Sequence, residues 1–342
     1  VQEFRRPEYE VKAAVVSPQP HFVGGGADLE VSAAYYAGGA SPNADVTWSV
    51  TSQRSTYSPP GWDDFTFGRW IPWWYSYRME GPYGYGGAVV ETAQTMTGTT
   101  DAAGIHRLHI DFRAVEPPEP STVNASATVM DVNRQAWTSQ TSVLVHPASL
   151  YVGLRTDRLF VERTEPIGVD IIVTDLDGKV VPEAEVKVVA ERLVWRNTGT
   201  SWGEEPADSQ TCVVASGNEP VRCTFETPEG GTYRITATVL DDKERPNQTQ
   251  ITRWVSGGGR RPQRNVEQEE ITLIPDKREY QAGETAEILV QAPFYPAEGL
   301  LTLRRSGLVR SERFTVDGPS YTVRIPIEEA FVPNVYIQVD LV

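Results

Sequence analysis

Residues 121–146 read STVNASATVMDVNRQAWTSQTSVLVH, and this stretch decides the fold. Polar and apolar residues alternate on both sides of a central segment, DVNRQ at 131–135. A period of two places successive side chains on opposite faces of an extended chain, and Asp and Asn favour turns. The stretch therefore predicts β-strands that each bury one face and expose the other.

The same alternation recurs along most of the chain, with Gly, Pro, Asn and Asp between the alternating segments. Further examples are YEVKAAVVS, DLEVSAAYY, ADVTWSV and IHRLHIDF. No segment longer than ten residues shows a sustained period of 3.6, so amphipathic helices are not predicted. We therefore predict an all-β chain of tandem antiparallel β-sandwich domains of the immunoglobulin or fibronectin type III kind.

Internal repeats indicate how many domains there are. SPNADVTW at 41–48 recurs as VPEAEVKV at 181–188, and TTDAAGIHRLHI at 99–110 aligns with ETPEGGTYRITA at 226–237. A third unit begins with REYQAGETAEILV at 278–290, where an aromatic residue again precedes an alternating strand. Repeats at this spacing predict copies of one domain in series.

The repeat spacing sets the predicted boundaries. They are residues 1–6 as the end of a preceding domain, sandwiches at 7–147, 148–256 and 268–342, and a Gly-rich charged linker at 257–267. The first sandwich is longer than the second because of an insertion at 53–88. The third is short enough to lack its last strands, which would leave an open sheet edge.

Composition excludes some classes of function. A formal net charge of -15 argues against nucleic-acid binding, which needs a basic face. No signal peptide follows Val1, and no apolar run reaches the roughly 18 residues of a membrane span. We expect the chain to be a segment of a longer protein.

The two cysteines, Cys212 and Cys223, lie on either side of a predicted turn, SGNEP. Across a hairpin the two sulfur atoms could face each other and form a disulfide, which suggests an oxidising compartment. The alternative is two buried free thiols. Two cysteines without clustered histidines do not make a zinc site.

Catalytic and metal motifs are weak. Gly199-Thr200-Ser201-Trp202-Gly203 fits the nucleophile elbow G-x-S-x-G, but the helix that this motif needs is not predicted after it. His106 and His109 are three residues apart on a strand, which points them to opposite faces. Asp175 begins DLDG, which a hairpin turn explains better than a calcium loop. We therefore expect no catalytic residue, no metal site and no cofactor.

Two surface features carry simple alternatives. The basic cluster of Arg260, Arg261 and Arg264 is either a protease-accessible segment or a solvated linker. The sequons at Asn124 and Asn247 matter only if the chain is made in a eukaryotic secretory pathway.

The insertion at 53–88 is the strongest candidate site, because it is rich in aromatic residues. Four of the nine tryptophans lie between Trp62 and Trp74. The candidate residues are Trp62, Phe65, Phe67, Trp70, Trp73 and Trp74. They could pack on their own or an adjacent domain, form an interface within a larger chain, or stack on sugar rings. We predict that most of them are packed, whereas a row of rings open to solvent would favour sugar binding.

Five stretches together resemble bacterial alpha-2-macroglobulins, in the order in which that family has them. They are VQEFRRPEYEV at 1–11, TYSPPGWDDFTFG at 56–68, RWVSGGG at 253–259, DKREYQAGETAEILVQAPF at 276–294 and FVPNVYIQVDLV at 331–342. The resemblance spans essentially the whole chain. It implies macroglobulin-like sandwiches that precede the bait region of a protease trap.

The resemblance implies a function for the longer protein. In such traps a protease cuts an exposed bait segment, the domains rearrange and the protease is enclosed, and many members also bond it through a Cys-Gln thioester. Neither Cys212 nor Cys223 begins a Cys-x-Glu-Gln motif. The expected function is thus a non-enzymatic scaffold fragment of a broad-spectrum protease inhibitor that lacks bait and thioester.

The expected partners are target proteases, met by the full-length protein, and neighbouring macroglobulin-like domains. We expect no membrane contact by this segment and no nucleic acid. The expected location is the periplasm or cell envelope, with an inner-membrane anchor as one option for the parent protein. The alternative function is a cell-surface adhesin or glycan-binding module whose ligand meets the tryptophans.

Overall fold

The computed structural model describes residues 9–36, 38–74, 93–197, 202–258 and 271–342. These residues form six β-sheets, and the sheets pack as three sandwiches in chain order. Within the described ranges no helix is long and apolar enough to cross a bilayer. The predicted all-β fold of tandem antiparallel sandwiches is confirmed.

The first unit packs a three-stranded sheet on a five-stranded one. Its strands, with the inserted β5, are β1 (Tyr9–Val15), β2 (His21–Phe22), β3 (Gly26–Tyr35), β4 (Asp45–Arg54), β5 (Thr66–Phe67), β6 (Gln94–Thr99), β7 (Ile105–Asp111), β8 (Ser121–Met130) and β9 (Ala136–His146). The strand orders are β1-β3-β7 and β2-β9-β8-β4-β6. Trp48 on β4 is fully buried between the sheets.

The second unit repeats this plan and contains the largest core. Its strands are β10 (Tyr151–Arg155), β11 (Phe160–Val161), β12 (Ile167–Thr174), β13 (Glu185–Asn197), β14 (Trp202–Ala215), β15 (Val221–Phe225), β16 (Gly231–Leu240) and β17 (Pro246–Val255). The orders are β15-β12-β10-β5 and β11-β17-β16-β13-β14. Strand β5, which the insertion of the first unit supplies, therefore belongs to a sheet of the second unit.

The third unit is built from two three-stranded sheets. Its strands are β18 (Thr272–Pro275), β19 (Thr285–Gln291), β20 (Ala297–Arg304), β21 (Leu308–Val316), β22 (Ser320–Pro326) and β23 (Tyr336–Leu341). The orders are β18-β19-β22 and β21-β20-β23, and a 3-10 turn at Glu329–Phe331 precedes β23.

Four turns share one geometry; those at Asp131 and Asp241 join paired strands, and those at Asp101 and Asp175 connect strands of two different sheets. In each, an aspartate carboxylate accepts hydrogen bonds of 2.8 to 3.0 Å from the backbone N–H groups two and four residues later. The turns begin at Asp101, Asp131, Asp175 and Asp241. The residue three positions after each aspartate has a positive φ. Asp175 therefore begins a turn, as its sequence context suggested, but the strands that it connects, β12 and β13, are not paired with each other.

Candidate functional site

Residues 55–74 leave the first unit after β4 and cross to the second unit; we call them the aromatic loop. Within the loop, Thr66 and Phe67 form β5, which pairs antiparallel with Leu154 and Gly153 of β10. The rest of the predicted insertion, 75–88, lies outside the described residues. A segment of one domain thus completes a sheet of the next, a mode of recognition known as β-augmentation.

Phe65 and Phe67 anchor the loop in an apolar cluster on the second unit. They are 6% and 7% exposed and pack against Tyr151 and Ile172, both almost fully buried. Trp62 packs edge-on against Phe65, with ring centroids 5.5 Å apart. Full burial of a phenylalanine side chain contributes about 1.5–3 kcal/mol, so this pair is a major source of docking energy.

Gly153 makes room for the anchor. A Cβ atom at this position would lie 2.7 Å from Cζ of Phe67, well inside van der Waals contact. Glycine inside a strand often marks a place where another group approaches the backbone closely. Here that group is the Phe67 ring.

Two hydrogen bonds tie the loop to the turn at Asp175. The Trp62 indole N–H donates to the carbonyl of Gly178 at 3.0 Å, and the Tyr57 hydroxyl donates to the carbonyl of Leu176 at 2.5 Å. Gly178 has φ +81°, and a Cβ atom there would lie 2.1 Å from the carbonyl oxygen of Pro60. The turn and the loop therefore fit only with glycine at this position.

Main-chain hydrogen bonds continue the docking onto β17. The Gln250 N–H donates to the carbonyl of Gly68 at 2.8 Å, and the Trp70 N–H donates to the carbonyl of Gln250 at 2.9 Å. The Gly68 N–H donates to the Thr249 hydroxyl at 2.9 Å. The loop therefore satisfies polar backbone groups along the edge of the second unit.

A second cluster, built from tryptophans, joins all three units. Trp70 and Trp74 of the loop pack with Trp254 of the second unit, at centroid distances of 6.0 and 5.8 Å. The same cluster contains Phe160 and, from the third unit, Ile274 and Leu289. Trp73 packs edge-on against Trp74 at 4.5 Å. The aromatic loop is thus the element at which the three sandwiches meet.

A buried arginine lies beside this cluster. Arg253 is only 4% exposed, and its guanidinium carbon lies 5.0 Å from the centroid of the Trp70 ring. Its Nε donates to the Thr156 hydroxyl at 2.5 Å. Burial lowers the pKa of Arg253 to about 9. The face of the Trp70 ring and the Thr156 hydroxyl stabilise a cation that would otherwise be costly to bury.

Ion pairs cover the outer edge of the phenylalanine cluster. Arg155 bonds to Asp64 of the loop and to Asp170 of β12, and its guanidinium lies 4.6 Å from the Phe65 centroid. Hydrogen bonds from Arg222, followed by those from Arg155, lower the pKa of Asp170. These charges are partly exposed, so we assign them to orientation of the loop rather than to much stability.

The second and third units also contact each other directly. Arg158 bonds to Glu287 and lies 3.9 Å from Asp276. The backbone N–H of Leu159 donates to the Asp276 carbonyl at 2.9 Å, and the Thr322 hydroxyl donates to Glu162 at 2.7 Å. The contact is polar around the apolar tryptophan cluster, as in protein interfaces generally.

The first and second units meet at a buried histidine. His146 Nδ1 lies 2.8 Å from the hydroxyl of Tyr151. The Tyr57 ring packs edge-on against the His146 ring, with the ring centroids 4.8 Å apart. Burial, with a smaller contribution from the neighbouring His21, lowers the pKa of His146 to about 4. His146 is therefore neutral at pH 7.

Cys212 and Cys223 form a disulfide, with Cα atoms 6.2 Å apart. They lie on β14 and β15, which belong to the two different sheets of the second unit. The disulfide thus links the sheets across the sandwich, rather than two paired strands of the predicted hairpin. Cys223 is 1% exposed and is part of the core.

Two comparisons with known proteins indicate a similarity to alpha-2-macroglobulins. A family model described as the alpha-2-macroglobulin bait region domain matches residues 271–342. An alpha-2-macroglobulin homolog from Nostoc sp. is 22% identical over 350 residues, which cover 100% of this chain and 18% of that protein. The chain is therefore similar to alpha-2-macroglobulins along its whole length, and its third unit matches their bait region domain. The resemblance predicted from the sequence is thereby confirmed.

Two further comparisons concern a solved structure and a second curated relative. The crystal structure of trypsin-activated alpha-2-macroglobulin from Escherichia coli shares the fold, with a TM-score of 0.50, 15% identity, and coverage of 99% of this chain and 24% of that one. Circularly permutated Ras protein 2 of Dictyostelium discoideum is 25% identical over 198 residues, 55% of this chain and 5% of that protein. The chain therefore spans at most about a quarter of these relatives.

The bait region match has a definite place in the structure. It begins just before β18 and covers all six strands of the third unit. The third sandwich, which the sequence analysis placed before the bait region, is thus the part that matches the alpha-2-macroglobulin bait region domain.

The six predicted aromatic residues all lie in or beside the two clusters at which the units meet. Phe65 and Phe67 are buried, and the four tryptophans are half-buried. They pack on one another and on the second and third units, and they do not form a row of rings open to solvent.

The remaining sequence candidates do not gather into a site. His106 accepts a hydrogen bond from the Trp48 indole at 3.1 Å, while His109 is exposed beside Asp28 at 2.7 Å. In the part of the chain that the structure describes, no three His, Cys, Asp or Glu residues form a potential metal site. Ser201 lies outside the described residues, as does the arginine cluster of the linker.

Some residues of the junction were not predicted. A glycine inside an alternating strand, as in YVGLR at 151–155, could have indicated a close approach at Gly153. Nothing local marks Arg253 or His146, because their burial depends on neighbouring domains.

Proposed function

We propose that this chain is a scaffold section of a bacterial alpha-2-macroglobulin that traps proteases after bait cleavage, and that the aromatic loop fixes the three sandwiches as one body. The observation that carries this proposal is the double docking of the loop. It adds β5 to the second unit through Phe67 and brings Trp70 to a cluster shared with the third.

The physical reason lies in the nature of the contact. Domains of one chain move relative to each other unless their interface is large and apolar. The loop buries two phenylalanines in one cluster and inserts tryptophans in another. A trap that rearranges after cleavage needs parts that keep their shape, and these three sandwiches would be such a part.

The proposed partners are proteases, encountered by the longer protein. The relative from Escherichia coli was crystallised after activation by trypsin, which supports trypsin as the first protease to try. We place the protein in the periplasm or cell envelope, since the Cys212–Cys223 disulfide favours an oxidising compartment. We also propose that this segment contains no thioester, since Cys212 and Cys223 are joined in a disulfide and neither begins a Cys-x-Glu-Gln motif.

The test uses the longer protein that contains this chain. It is incubated with trypsin, and hydrolysis is then measured on a large protein substrate and on a small peptide. We expect the trapped enzyme to lose activity on the large substrate and keep it on the peptide. Full activity on both would refute the trap.

A second measurement tests the scaffold role. A Phe67→Ala variant of the longer protein should be cut by trypsin but enclose it less completely, because the three sandwiches would no longer move together. Ile71→Ala, in the same loop but 44% exposed, is the matched control. Equal enclosure by both variants would rule out a role for the docked loop.

We propose that the segment is not an enzyme. The one nucleophile motif contains Ser201, so a fluorophosphonate probe should leave the chain unlabelled. Labelling that a Ser201→Ala variant abolishes would contradict this proposal.

A further inference from the structure

The outer face of the five-stranded sheet in the first unit has a region without charged residues, which ends at the exposed Asp45 of β4. Three rows of side chains cross β4, β8 and β9, opposite the residues that fill the core. Row by row they are Thr47, Thr128 and Thr138; Ser49, Ser126 and Gln140; and Thr51, Asn124 and Ser142. We call these nine residues the hydroxyl face. All nine are hydroxyl or amide residues, in a chain that is 23% charged.

The hydroxyl face carries a shallow, open depression. Its volume is about 310 Å³, and it is lined among others by Ser49, Asn124, Gln140 and Ser142. A volume of this size is at the lower end of small-molecule sites. Neighbouring strands are about 4.8 Å apart, so donors and acceptors repeat at short intervals across the depression.

The second unit provides an internal comparison, because its strands have the same register. The shared motif aligns Thr51 with Glu191 and Asn124 with Arg234. In the second unit these two positions form an ion pair of 2.8 Å. An ordinary charged sheet surface is therefore compatible with this architecture, and the neutral surface is a property of the first unit.

We propose that the hydroxyl face binds a neutral glycan chain. Hydroxyl and amide side chains both donate and accept hydrogen bonds, which matches the hydroxyl groups of a sugar. An uncharged surface has no strongly bound counterions or hydrated charges to displace. The face lies on a different unit from the tryptophan cluster, so this inference is independent of the proposed trap.

Other occupants fit the composition less well. Protein interfaces are enriched in aromatic residues, Met and Arg and depleted in Ser, which is the reverse of this face. Nucleic acid and other polyanions need cations, and the three rows contain none. Without an aromatic platform the binding rests on hydrogen bonds that replace those to water, so we expect a Kd of about 1 mM.

The experiment is a titration of the bacterially produced chain with cellohexaose, maltohexaose and chitohexaose, followed by NMR. Production in bacteria keeps the sequon at Asn124 unmodified. At least one oligosaccharide should bind with a Kd below about 10 mM and shift resonances of the first unit. No binding of any of the three below that limit would overturn the proposal.

Variants locate the site. The pair Asn124→Ala and Gln140→Ala should weaken binding at least about fivefold. The matched control is the pair Thr236→Ala and Thr238→Ala, on the equivalent face of the second unit, which should leave the Kd unchanged. The proposal would be overturned if the double variant at Asn124 and Gln140 bound the oligosaccharide as tightly as wild type. It would also be overturned if both double variants lost affinity equally.

A milder variant covers the case in which the first pair fails to fold. Ser49→Ala removes one hydroxyl from a half-buried position in the depression and should weaken binding about two- to fivefold. Binding by folded Ser49→Ala at wild-type strength, with shifts confined to the second or third unit, would also refute the assignment.

Discussion

Two sheet edges at equivalent positions of the first and second units differ in what binds to them. β1 and β10 occupy the same position in the first and second units, and their register aligns Lys12 with Gly153. Among the described strands, β5 pairs with the outer edge of β10, whereas no strand pairs with the outer edge of β1, where the Ala13 N–H donates to the Ser139 hydroxyl of β9 at 3.0 Å. One architecture therefore supports both an edge that is extended by a further strand and an edge that is not.

The difference lies in a few side chains. Lys12 is exposed and forms an ion pair of 2.9 Å with Glu10 on the same edge. Charged residues on an edge strand disfavour the addition of another strand. At Gly153 there is no side chain, and the Phe67 ring takes its place. We therefore expect the edge residue to decide whether the aromatic loop can dock.

Removal of the anchor should have the largest effect. Phe67→Ala leaves a cavity between the loop and the second unit and should lower the free energy of unfolding by about 3–5 kcal/mol. Urea unfolding of the chain, followed by tryptophan fluorescence, measures this change. The control Ile71→Ala should change it by less than about 0.5 kcal/mol. If Phe67→Ala lowered the free energy of unfolding by less than about 1 kcal/mol, backbone hydrogen bonds alone would hold β5 on the edge of β10.

Acid should weaken the junction between the two units that contain these edges. His146 has a pKa of about 4 in the folded chain, below its ordinary value of 6.5. Between these values the unfolded chain binds the proton and the folded chain does not, so stability falls as pH falls from about 6.5 to about 4. The loss should reach about 3 kcal/mol, since each pKa unit corresponds to about 1.4 kcal/mol.

The measurement is the unfolding free energy of wild type and His146→Gln between pH 7 and pH 5. The variant should show a flatter dependence than wild type over this window. His109→Ala serves as the control, because that exposed histidine pairs with Asp28 and its pKa is raised. Parallel curves for wild type and His146→Gln would eliminate His146 as the source.

The sequence predicted the strands of both units. It did not predict that the aromatic loop of the first unit docks on an edge strand of the second. Period-two alternation is a local signal, so the strands and the three sandwiches follow from it. The disulfide partners were also identifiable, because Cys212 and Cys223 are the only cysteines. Docking of the loop on the second unit depends on contacts between residues as distant as Phe67 and Tyr151. Such contacts leave no periodic trace in the sequence.

An exchange of the edge residues sharpens the comparison. Gly153→Lys places the residue of the first edge on the second, where its side chain collides with Phe67, and should cost about 2–3 kcal/mol. Lys12→Ala should cost less than about 0.5 kcal/mol, since no described strand pairs with that edge of β1. Protease cleavage within residues 55–74 should increase only in Gly153→Lys. Equal resistance of this loop in both variants would show that the edge residue does not control docking.

The smallest effect is expected at the turn that begins at Asp175, whose carbonyl groups accept hydrogen bonds from Tyr57 and Trp62 of the aromatic loop. Gly178→Ala adds a Cβ at φ +81° and places it against the Pro60 carbonyl, which should cost about 1–2 kcal/mol. Glu244 occupies the same position in the turn at Asp241, with φ 59°, and its backbone N–H donates to the Asp241 carbonyl at 3.0 Å. Glu244→Gly should therefore stabilise the chain by about 0.5–1 kcal/mol in the same urea assay. Suppose that Gly178→Ala lowered the free energy of unfolding by no more than Glu244→Gly raised it. Backbone strain alone would then explain both changes, and the contact with Pro60 would contribute nothing to docking.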